Sequence, residues 1–471
     1  ARLAYDELFA HQLALIQSKR RQKDEPAPVI RPGAAAVAVQ AALPFTLTGA
    51  QARAVEDVRR DFASGQRMSR LLQGDVGSGK TAVALIAFAD AAGAGFQSAF
   101  MAPTEILARQ HFERVAPVLQ AAGIETVLLT GRDKGAGRAA KLKALADGTA
   151  QVAVGTHALF QEAVAFRKLA LAVVDEQHRF GVAQRRQLQD KGAGVHLLSM
   201  SATPIPRTLE MTQYGDLDVS TLNEKPPGRK PIVTRIVPTT RLPEIVARLK
   251  SASERGAQAY WICPLVAESE VADMAAAEAR AETLRHAIGP GVGLVHGQMP
   301  PADKDAVMAE FAAGRLSVLV ATTVVEVGVD VPNATLMVIE HAERFGLAQL
   351  HQLRGRVGRG AGESACVLLY DPPLSQSAQA RLEVLRDSED GFLIAEKDWE
   401  LRGGGDPLGL RQSGFPAYRF ADPLAHRELI RAARDDARLI LDRDPTLESP
   451  RGKAVRVLQA LFDWRPDGDT A

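Results

Sequence analysis

Short, fully apolar segments alternate with amphipathic segments along most of the chain, and this alternation constrains the fold more than any other feature. The apolar runs include RLLQ, SAFMAP, QVAVGT and LALAVVDE before residue 223, then AYWICPL, SVLVATT and ATLMVIEH after residue 231. Strands without a polar face must be covered on both sides, which is typical of parallel sheets whose crossover connections are helices. We therefore predict an α/β fold with parallel sheets.

A charged segment rich in proline, NEKPPGRKP at Asn223–Pro231, divides the alternation into two series of similar length. This composition favours a loop, so we expect an interdomain hinge there. After Asp387 the strands stop, and helices and loops follow. The sequence therefore predicts four regions: residues 1–46 with a linker helix and a connector, residues 47–225 and 226–388 with one parallel sheet each, and residues 389–471 with a helical hairpin, a loop and terminal helices.

Composition argues against several classes of protein. The net charge of the 471 residues is +1 and aromatic residues make up 5%, so neither a bulk positive field nor an aromatic platform for single strands is indicated. The number and spacing of Cys263 and Cys366 suggest neither a zinc site nor a disulfide framework, which favours a reducing cytoplasm. No apolar run approaches ~18 residues, so we expect no membrane span. The chain starts at Ala1 without a signal-peptide pattern, which favours a fragment of a longer protein.

The segment GDVGSGKT fits the pattern G-x-x-x-x-G-K-[ST] and lies between a predicted strand, SRLLQ, and a predicted helix, AVALIAFADAA. Glycines allow backbone N–H groups to approach phosphate oxygens, and the helix N-terminus adds a positive dipole end. In this pattern Lys80 reaches the β- and γ-phosphates and Thr81 binds Mg²⁺. The predicted nucleotide-binding residues are Gly74, Asp75, Val76, Gly77, Ser78, Gly79, Lys80 and Thr81.

Two acids end the apolar run LALAVVDE. Carboxylates at the end of a parallel strand emerge at the carboxyl edge of the sheet, beside a phosphate-binding loop. Asp175 would hold Mg²⁺ through water, and Glu176 would orient or deprotonate the attacking water. The alternative is that these acids only lead the chain from the sheet into solvent.

The segment QLHQLRGRVGR, Gln349–Arg359, carries arginines along a predicted helix that ends near its glycines. Two interpretations remain open for Arg354, Arg356 and Arg359. They form a solvated basic face, or they face a γ-phosphate across a cleft between the two units, where such an arginine stabilises the developing charge. A cleft that closes on ATP and opens after hydrolysis would make the protein a motor.

Taken together, the ordered segments GDVGSGKT, APTEILARQH, GTHALFQ, DEQH, SATPIPRTL, LVHGQM, ATTVVEVGVDVPNA and QLHQLRGRVGRG resemble the motif series of superfamily 2 helicases. The resemblance implies two RecA-like domains with a nucleotide cleft between them. The longer segments LPFTLTGAQARAVEDVRRD, DEQHRFGVAQR and SATPIPRTLEMT resemble the RecG family of branched-DNA helicases, and more loosely the transcription-repair coupling translocases. The similarity extends from about Arg2 to about residue 440.

The resemblance implies further roles. Gln51 would read the adenine edge, although an ordinary polar residue at a helix N-terminus is the alternative. Thr104 would contact the DNA backbone, although it could equally be a helix N-cap. The segment VVEVGVD could also be a buried strand that ends in a turn. The other residues with implied roles are Glu105, Thr156 and His157 at the DNA backbone, His178, Ser201, Thr203, Glu326, Gly328, Gln352 and Arg354 in DNA contact or coupling, Asp330 in coupling and in the nucleotide site, and Arg356 and Arg359 in catalysis.

The segment EKDWELRGGGDPLGLRQSGFP resembles the loop that, in this family, couples ATP turnover to movement on duplex DNA. Its contacting groups would be Arg402, Arg411 and Gln412. The segment departs from the family pattern, because Gly404 replaces a proline and Asp406-Pro407 replaces an acid followed by an apolar residue. We expect the turn to be kept with its rigid positions moved; a flexible linker is the alternative.

The expected function is that of an ATP-dependent double-stranded DNA translocase or helicase that remodels replication forks, Holliday junctions and R-loops in recombination and repair. Expected cofactors are ATP and Mg²⁺, and expected partners are branched and double-stranded DNA and a single-stranded DNA-binding protein, with a monomeric chain. The opening RLAYDELFAHQLAL resembles the helix that follows the wedge domain of the family, so we expect the wedge to be absent from this chain. Alternatives are a transcription-repair coupling-type translocase, an RNA helicase of the DEAD or DEAH kind, and a scaffold that only binds nucleotide.

Overall fold

The structure is a computed structural model that describes residues 1–176, 191–204, 206, 217–224, 226, 230–264, 270–322, 331, 333–358, 360, 362–402, 418–423 and 425–464. Several predicted site residues fall outside these ranges, and for Arg402 only the backbone is described. The predicted site residues outside the described ranges are His178, Glu326, Gly328, Asp330, Arg359, Arg411 and Gln412.

The first unit contains a parallel sheet in which seven described strands run in the order β3-β4-β2-β5-β6-β1-β7. Almost every residue of its central strands is buried, as their apolar sequences predict. The strands are β1 Ser69–Gly74, β2 Gln97–Met101, β3 Thr126–Leu129, β4 Val152–Gly155, β5 Leu169–Val174, β6 His196–Ser201 and β7 Asp218–Leu222.

Helices cover this sheet and bury its apolar side chains. The helix after β1 is buried along nearly its whole length, because it packs between the sheet and two preceding helices. The helices before and within this unit are α1 Arg2–Asp24, α2 Ala34–Ala42, α3 Gly49–Ala63, α4 Lys80–Gly93, α5 Glu105–Ala121 and α6 Gly135–Asp147.

The second unit contains a parallel sheet in which six described strands run in the order β10-β11-β9-β12-β13-β8. Its strands are β8 Ile232–Pro238, β9 Gln258–Ile262, β10 Val292–Val295, β11 Val318–Ala321, β12 Ala334–Ile339 and β13 Ser364–Tyr370. Its helices are α7 Leu242–Glu254, α8 Glu270–Ile288, α9 Pro301–Ala312, α10 Leu347–Arg354 and α11 Gln376–Asp387. The predicted α/β fold with two parallel sheets is therefore confirmed, whereas the limits of the four regions stay predictions.

The N-terminal helix packs against the C-terminal helices α13 Arg427–Arg443 and α14 Pro450–Leu461 in a separate apolar core. The buried Glu7 carboxylate accepts hydrogen bonds from three consecutive backbone N–H groups, those of residues 419–421, at 2.6–2.8 Å. At the other end of α1, Lys19 donates to Asp218 of β7 at 2.8 Å. Helix α1 thus joins the C-terminal region to the first sheet.

One further helix, α12 Gly391–Arg402, follows α11 and ends where the segment RGGGDPLGLRQ begins. The geometry predicted for that segment lies outside the described residues. Within the described parts of the chain, none of the helices combines the length and the apolar character that crossing a membrane requires.

Candidate active site

The loop between β1 and α4 has a backbone that requires glycine. Gly77 and Gly79 have φ of 77° and 83°, in the left-handed region, and Gly79 is the N-cap of α4. A Cβ on Gly74 would lie 2.6 Å from Ser78 Oγ and 2.8 Å from Leu222 Cβ. The loop therefore turns tightly around the N-terminus of a buried helix, and this arrangement favours binding of an anion.

The Lys80 side chain is buried and folds back over this loop. Its ammonium donates to the backbone carbonyls of Gly74 at 2.8 Å and Asp75 at 3.1 Å. These bonds hold the positive charge at the loop, where an anionic ligand would lie. Thr81 follows at the first turn of α4 and lines a cavity beside this loop.

Two acids follow β5 at the carboxyl edge of the first sheet, as predicted. Asp175 Oδ1 accepts the Glu176 N–H at 3.0 Å, and Oδ2 accepts Nε2–H of His111 at 2.8 Å. Burial raises the pKa of Asp175, but the hydrogen bond from His111 and the charge of Lys80 hold it below its usual value. Glu176 has φ of 51°, a conformation that costs about 1–3 kcal/mol in non-glycine residues and is found mostly at functional sites.

The loop and the acids line one cavity of about 490 Å³, within the range of small-molecule sites. The second unit closes part of it. The ionised Asp175 carboxylate and the Thr81 hydroxyl are oxygen donors of the kind that Mg²⁺ prefers, so these residues fit a magnesium nucleotide. Among the lining residues are Val76, Gly77, Gly79, Lys80, Thr81, Asp175 and Glu176 of the first unit, and Gln352 and Arg356 of the second.

Helix α10 of the second unit docks on the β1–α4 loop. His351 Nε2 lies 2.7 Å from Asp75 Oδ1, and a Cβ on Gly355 would lie 2.9 Å from Val76 Cβ. Burial raises the pKa of Asp75, but hydrogen bonds from His351 and from the Val76 N–H hold it below its usual value. The contact brings Arg356, just beyond α10, into the cavity.

The neighbouring Arg354 has a different environment, which sequence spacing did not reveal. It is buried and donates to the backbone carbonyls of Leu385 and Ser388, the latter at 2.9 Å. Its Nη2 donates to His351 Nδ1 at 2.9 Å. Arg354 is therefore held inside the second unit, where direct contact with DNA is not supported, and it braces the histidine that contacts Asp75.

Gln51 is buried, and both ends of its amide are hydrogen-bonded. Its Oε1 accepts the Thr48 N–H at 2.9 Å in a capping box, and its Nε2 donates to Ser78 O at 2.8 Å. The residue therefore supports both the start of α3 and the β1–α4 loop. Its reading of an adenine edge stays a prediction.

The residues predicted at the DNA backbone cluster near the carboxyl edge of the first sheet. Thr104 is the N-cap of α5 and accepts the Leu107 N–H at 3.3 Å. Glu105 Oε2 lies 2.7 Å from Arg132 Nε, and Arg132 also pairs with Asp305 of α9. The other residues predicted at the backbone are Thr156, which is buried, and His157, which is exposed. Of the residues predicted to couple hydrolysis to DNA binding, Ser201 donates to Thr203 O at 2.9 Å.

Sequence reasoning missed two residues that line this cavity, His111 and Phe45, and one that contacts the β1–α4 loop, His351. His111 and His351 lie inside the quoted segments APTEILARQH and QLHQLRGRVGR, but a single helical histidine carries no signal until its partner is known. Phe45 lines the cavity and is 44% exposed. An exposed aromatic side chain at the rim offers a flat apolar surface for a nucleotide base.

Models of known families match three parts of the chain. Residues 48–212 match the DEAD/DEAH box helicase family, residues 241–361 match the helicase conserved C-terminal domain, and residues 388–463 match the C-terminal part of domain 3 of the ATP-dependent DNA helicase RecG.

Curated relatives and a solved structure are similar over nearly the whole chain. The ATP-dependent DNA helicase RecG of Escherichia coli O157:H7 is 52% identical over 451 residues, which cover 94% of this chain and 65% of that relative. RecG of Streptococcus pneumoniae serotype 4 is 43% identical, with 96% of this chain and 68% of the relative covered. A structure of RecG bound to a three-way DNA junction matches with a TM-score of 0.75 and 44% identity, covering 91% of this chain and 56% of that one. The chain thus spans about two thirds of the length of the curated relatives.

Proposed function

Because this chain belongs to the RecG family of ATP-dependent DNA helicases, we propose that it hydrolyses ATP to move along double-stranded DNA and to remodel branched DNA. The family also identifies the two parallel-sheet units as RecA-like domains. One observation carries the proposal: Lys80 and Asp175 of one unit and Arg356 of the other line the same cavity.

The side chains around the cavity have complementary roles in this proposal. Lys80 exchanges its bonds to Gly74 and Asp75 for β- and γ-phosphate oxygens. Thr81 and Asp175 would hold Mg²⁺, which would neutralise charge at the phosphates when bound. Glu176 orients the attacking water, and Arg356 stabilises the charge that develops on the transferred phosphoryl group.

The cleft supplies the mechanical step. Binding of ATP strengthens the contact between α10 and the phosphate-binding loop, because both units then hold the same ligand. Hydrolysis weakens this contact again, so the two units close and open once per turnover. The hydrogen bond between His351 and Asp75 and the close packing of Gly355 against Val76 position Arg356 for the closed state.

DNA contact is proposed at the edge of the first unit and beyond the second. Thr104, Glu105, Thr156 and His157 would hold the backbone without reading sequence. Ser201 and Thr203 would couple hydrolysis to DNA binding. The loop residues Arg402, Arg411 and Gln412 would carry the movement to the duplex. The same proposal includes Mg²⁺ as cofactor, a single-stranded DNA-binding protein as partner, a monomeric state and a cytoplasmic location. A transcription-repair coupling-type translocase is less favoured, because residues 388–463 match the C-terminal part of domain 3 of RecG.

The test compares ATP turnover without DNA and with single-stranded DNA, linear duplex and a four-way junction, together with displacement of a third strand from a triplex. We expect duplex and junction to stimulate turnover and the triplex strand to be displaced only with ATP. A Lys80→Ala variant, measured in the same assays, gives the background rate of ATP turnover. Turnover that responds to no DNA, or that persists in the variant, contradicts the proposal.

A further inference from the structure

His111 forms a hydrogen bond with Asp175, the acid proposed to hold Mg²⁺. The distance from His111 Nε2 to Asp175 Oδ2 is 2.8 Å, and both residues are buried. The other carboxylate oxygen accepts the Glu176 N–H at 3.0 Å. Each oxygen therefore has a donor, and the two bonds together fix the plane in which the carboxylate lies.

The histidine ring is itself held in place. It packs against the Phe100 ring of β2, with 4.5 Å between the ring centroids. Because the carboxylate accepts, Nε2 carries the proton, and Nδ1 has no hydrogen-bond partner among the described residues. Nothing else described in the structure orients this ring by hydrogen bonding, so its polar contact serves Asp175.

His111 reaches Asp175 from helix α5, whose N-terminus carries two of the proposed DNA contacts. Thr104 caps the helix, and Glu105 is its first residue. Thr104 and His111 are seven residues apart, so they lie on the same side of the helix, about 10 Å apart along its axis. Both residues belong to one continuous element, because Thr104 caps the helix and His111 lies in its second turn.

We propose that His111 is a positioning residue that holds the Asp175 carboxylate in its Mg²⁺-binding orientation and makes that orientation depend on the position of α5. DNA bound at the start of α5 then alters the geometry at Asp175, and Mg²⁺-nucleotide alters the affinity for DNA. The inference rests on the proposed function. It adds His111 as a side chain that carries part of the stimulation of ATP turnover by DNA.

The expected effect of losing the hydrogen bond between His111 and Asp175 follows from the behaviour of residues that orient metal ligands. Their removal lowers metal affinity or activity about 10–100-fold. Coupling between two ligands is reciprocal, so the factor by which DNA raises nucleotide affinity equals the factor by which nucleotide raises DNA affinity. Loss of the His111 bond lowers both factors together.

The experiment compares four variants on the same helix. His111→Leu removes the donor. His111→Gln keeps an N–H near the position of Nε2, whereas the shorter amide of His111→Asn falls short of Asp175. Glu113→Ala, on the exposed face of α5, is the control for changes in the helix. Each variant is measured for its thermal midpoint, for affinity for a fluorescent ADP analogue with Mg²⁺ and with EDTA, and for affinity for a DNA duplex with and without Mg²⁺-ADP.

We expect His111→Leu and His111→Asn to lose about tenfold or more of the gain in ADP affinity that Mg²⁺ provides, with affinity in EDTA unchanged. The effect of Mg²⁺-ADP on duplex affinity should shrink in the same variants. His111→Gln should restore most of both effects, and Glu113→Ala should match the parent.

Three results overturn the inference. The first is a His111→Leu variant whose gain in ADP affinity from Mg²⁺ equals that of the parent. The second is an equal loss of this gain in the Gln and Asn variants, and the third is a loss of ADP affinity that also appears in EDTA. If His111→Leu does not fold, the comparison of Gln with Asn decides. A parent protein that shows no DNA-stimulated turnover contradicts the proposed function instead, and the Mg²⁺ dependence of ADP binding then still tests His111.

Discussion

Two acids occupy matching points in the two units. The strand order β2-β5-β6-β1 of the first sheet corresponds to β9-β12-β13-β8 of the second. Asp175 directly follows β5, and its N–H donates to the last residue of β2, Met101, at 2.9 Å. Glu340 directly follows β12, and its N–H donates to the last residue of β9, Ile262, also at 2.9 Å. Both acids are buried.

Their side chains have different surroundings. Asp175 lines the cavity, next to Lys80 and His111. Glu340 accepts hydrogen bonds from Trp261 Nε1 and from Arg280, whose Nη2 lies 3.1 Å from Oε2. The first acid faces the cavity, whereas the second forms part of a polar network that holds β9, β12 and α8 together.

The loops that follow β1 and β8 differ in the same way. The first contains the left-handed Gly77 and Gly79, so its backbone can surround a phosphate. The second consists of residues 239–241 and has no glycine, and its Thr239 hydroxyl donates to Asp371 at 2.6 Å. A shared topology therefore does not supply a shared activity, because the chemistry depends on the residues at the strand ends.

The largest expected effect tests whether only the first loop binds phosphate. Lys80→Ala should reduce DNA-stimulated ATP turnover below detection, because the cation at the β- and γ-phosphates is lost. Arg241→Ala changes the N-cap of α7, the matching helix start in the second unit, and should leave turnover unchanged. Steady-state ATPase assays measure both, and reduced turnover in the Arg241 variant would contradict the asymmetry.

The second prediction concerns what the second unit contributes to the cavity. Arg356→Ala should lower turnover by about 10³–10⁵-fold, because an arginine at the transferred phosphoryl group is lost, while nucleotide affinity changes little. Arg315→Ala, which removes an exposed cation from the same unit, is the control. Single-turnover kinetics and equilibrium nucleotide binding separate the two effects. Weak binding with normal turnover of the bound nucleotide would be incompatible with this role.

The third prediction exchanges each of the matching acids for its amide. Asp175→Asn should lower turnover about a hundredfold or more, because a metal-holding charge is lost, with the free energy of unfolding within about 1 kcal/mol of the parent. Glu340→Gln should destabilise the protein by about 3 kcal/mol, because Arg280 loses its buried partner. Denaturant titration measures the stability of both variants, and ATPase assays measure their turnover. The expected contrast is wrong if the two variants lose turnover and stability to the same extent.

The smallest predicted effect concerns the contact between the units. Gly355→Ala places a Cβ 2.9 Å from Val76 Cβ and should separate α10 slightly from the phosphate-binding loop. We expect turnover to fall about tenfold, corresponding to overpacking of about 1–3 kcal/mol. Gly137→Ala is the matched control, because among the described residues no atom outside the local helix backbone and the adjacent residues lies within 4 Å of the new Cβ. Equal turnover in the two variants would show that close docking at Gly355 is not required.

Much of the fold and part of the candidate site follow from local sequence. The apolar runs predicted both parallel sheets, and the β1–α4 loop and the acids after β5 lie where their motifs predicted. The arginines were harder to place. Arg354 ends α10 and Arg356 lies beyond it, so helical periodicity does not relate the directions of the two side chains. Arg356 lines the cavity, and Arg354 is buried against Leu385 and Ser388.

The sequence by itself determined the two parallel sheets, the glycine-rich loop and the acids at a strand end, because apolar periodicity and backbone requirements act between neighbouring residues. Only the tertiary structure decided which side chains meet. His111 and Asp175 are 64 positions apart, and His351 and Asp75 are 276 apart. A hydrogen bond needs its two atoms within about 3 Å, and the relative placement of whole strands and helices sets that distance. For the same reason two acids at matching strand ends, Asp175 and Glu340, came to have different surroundings.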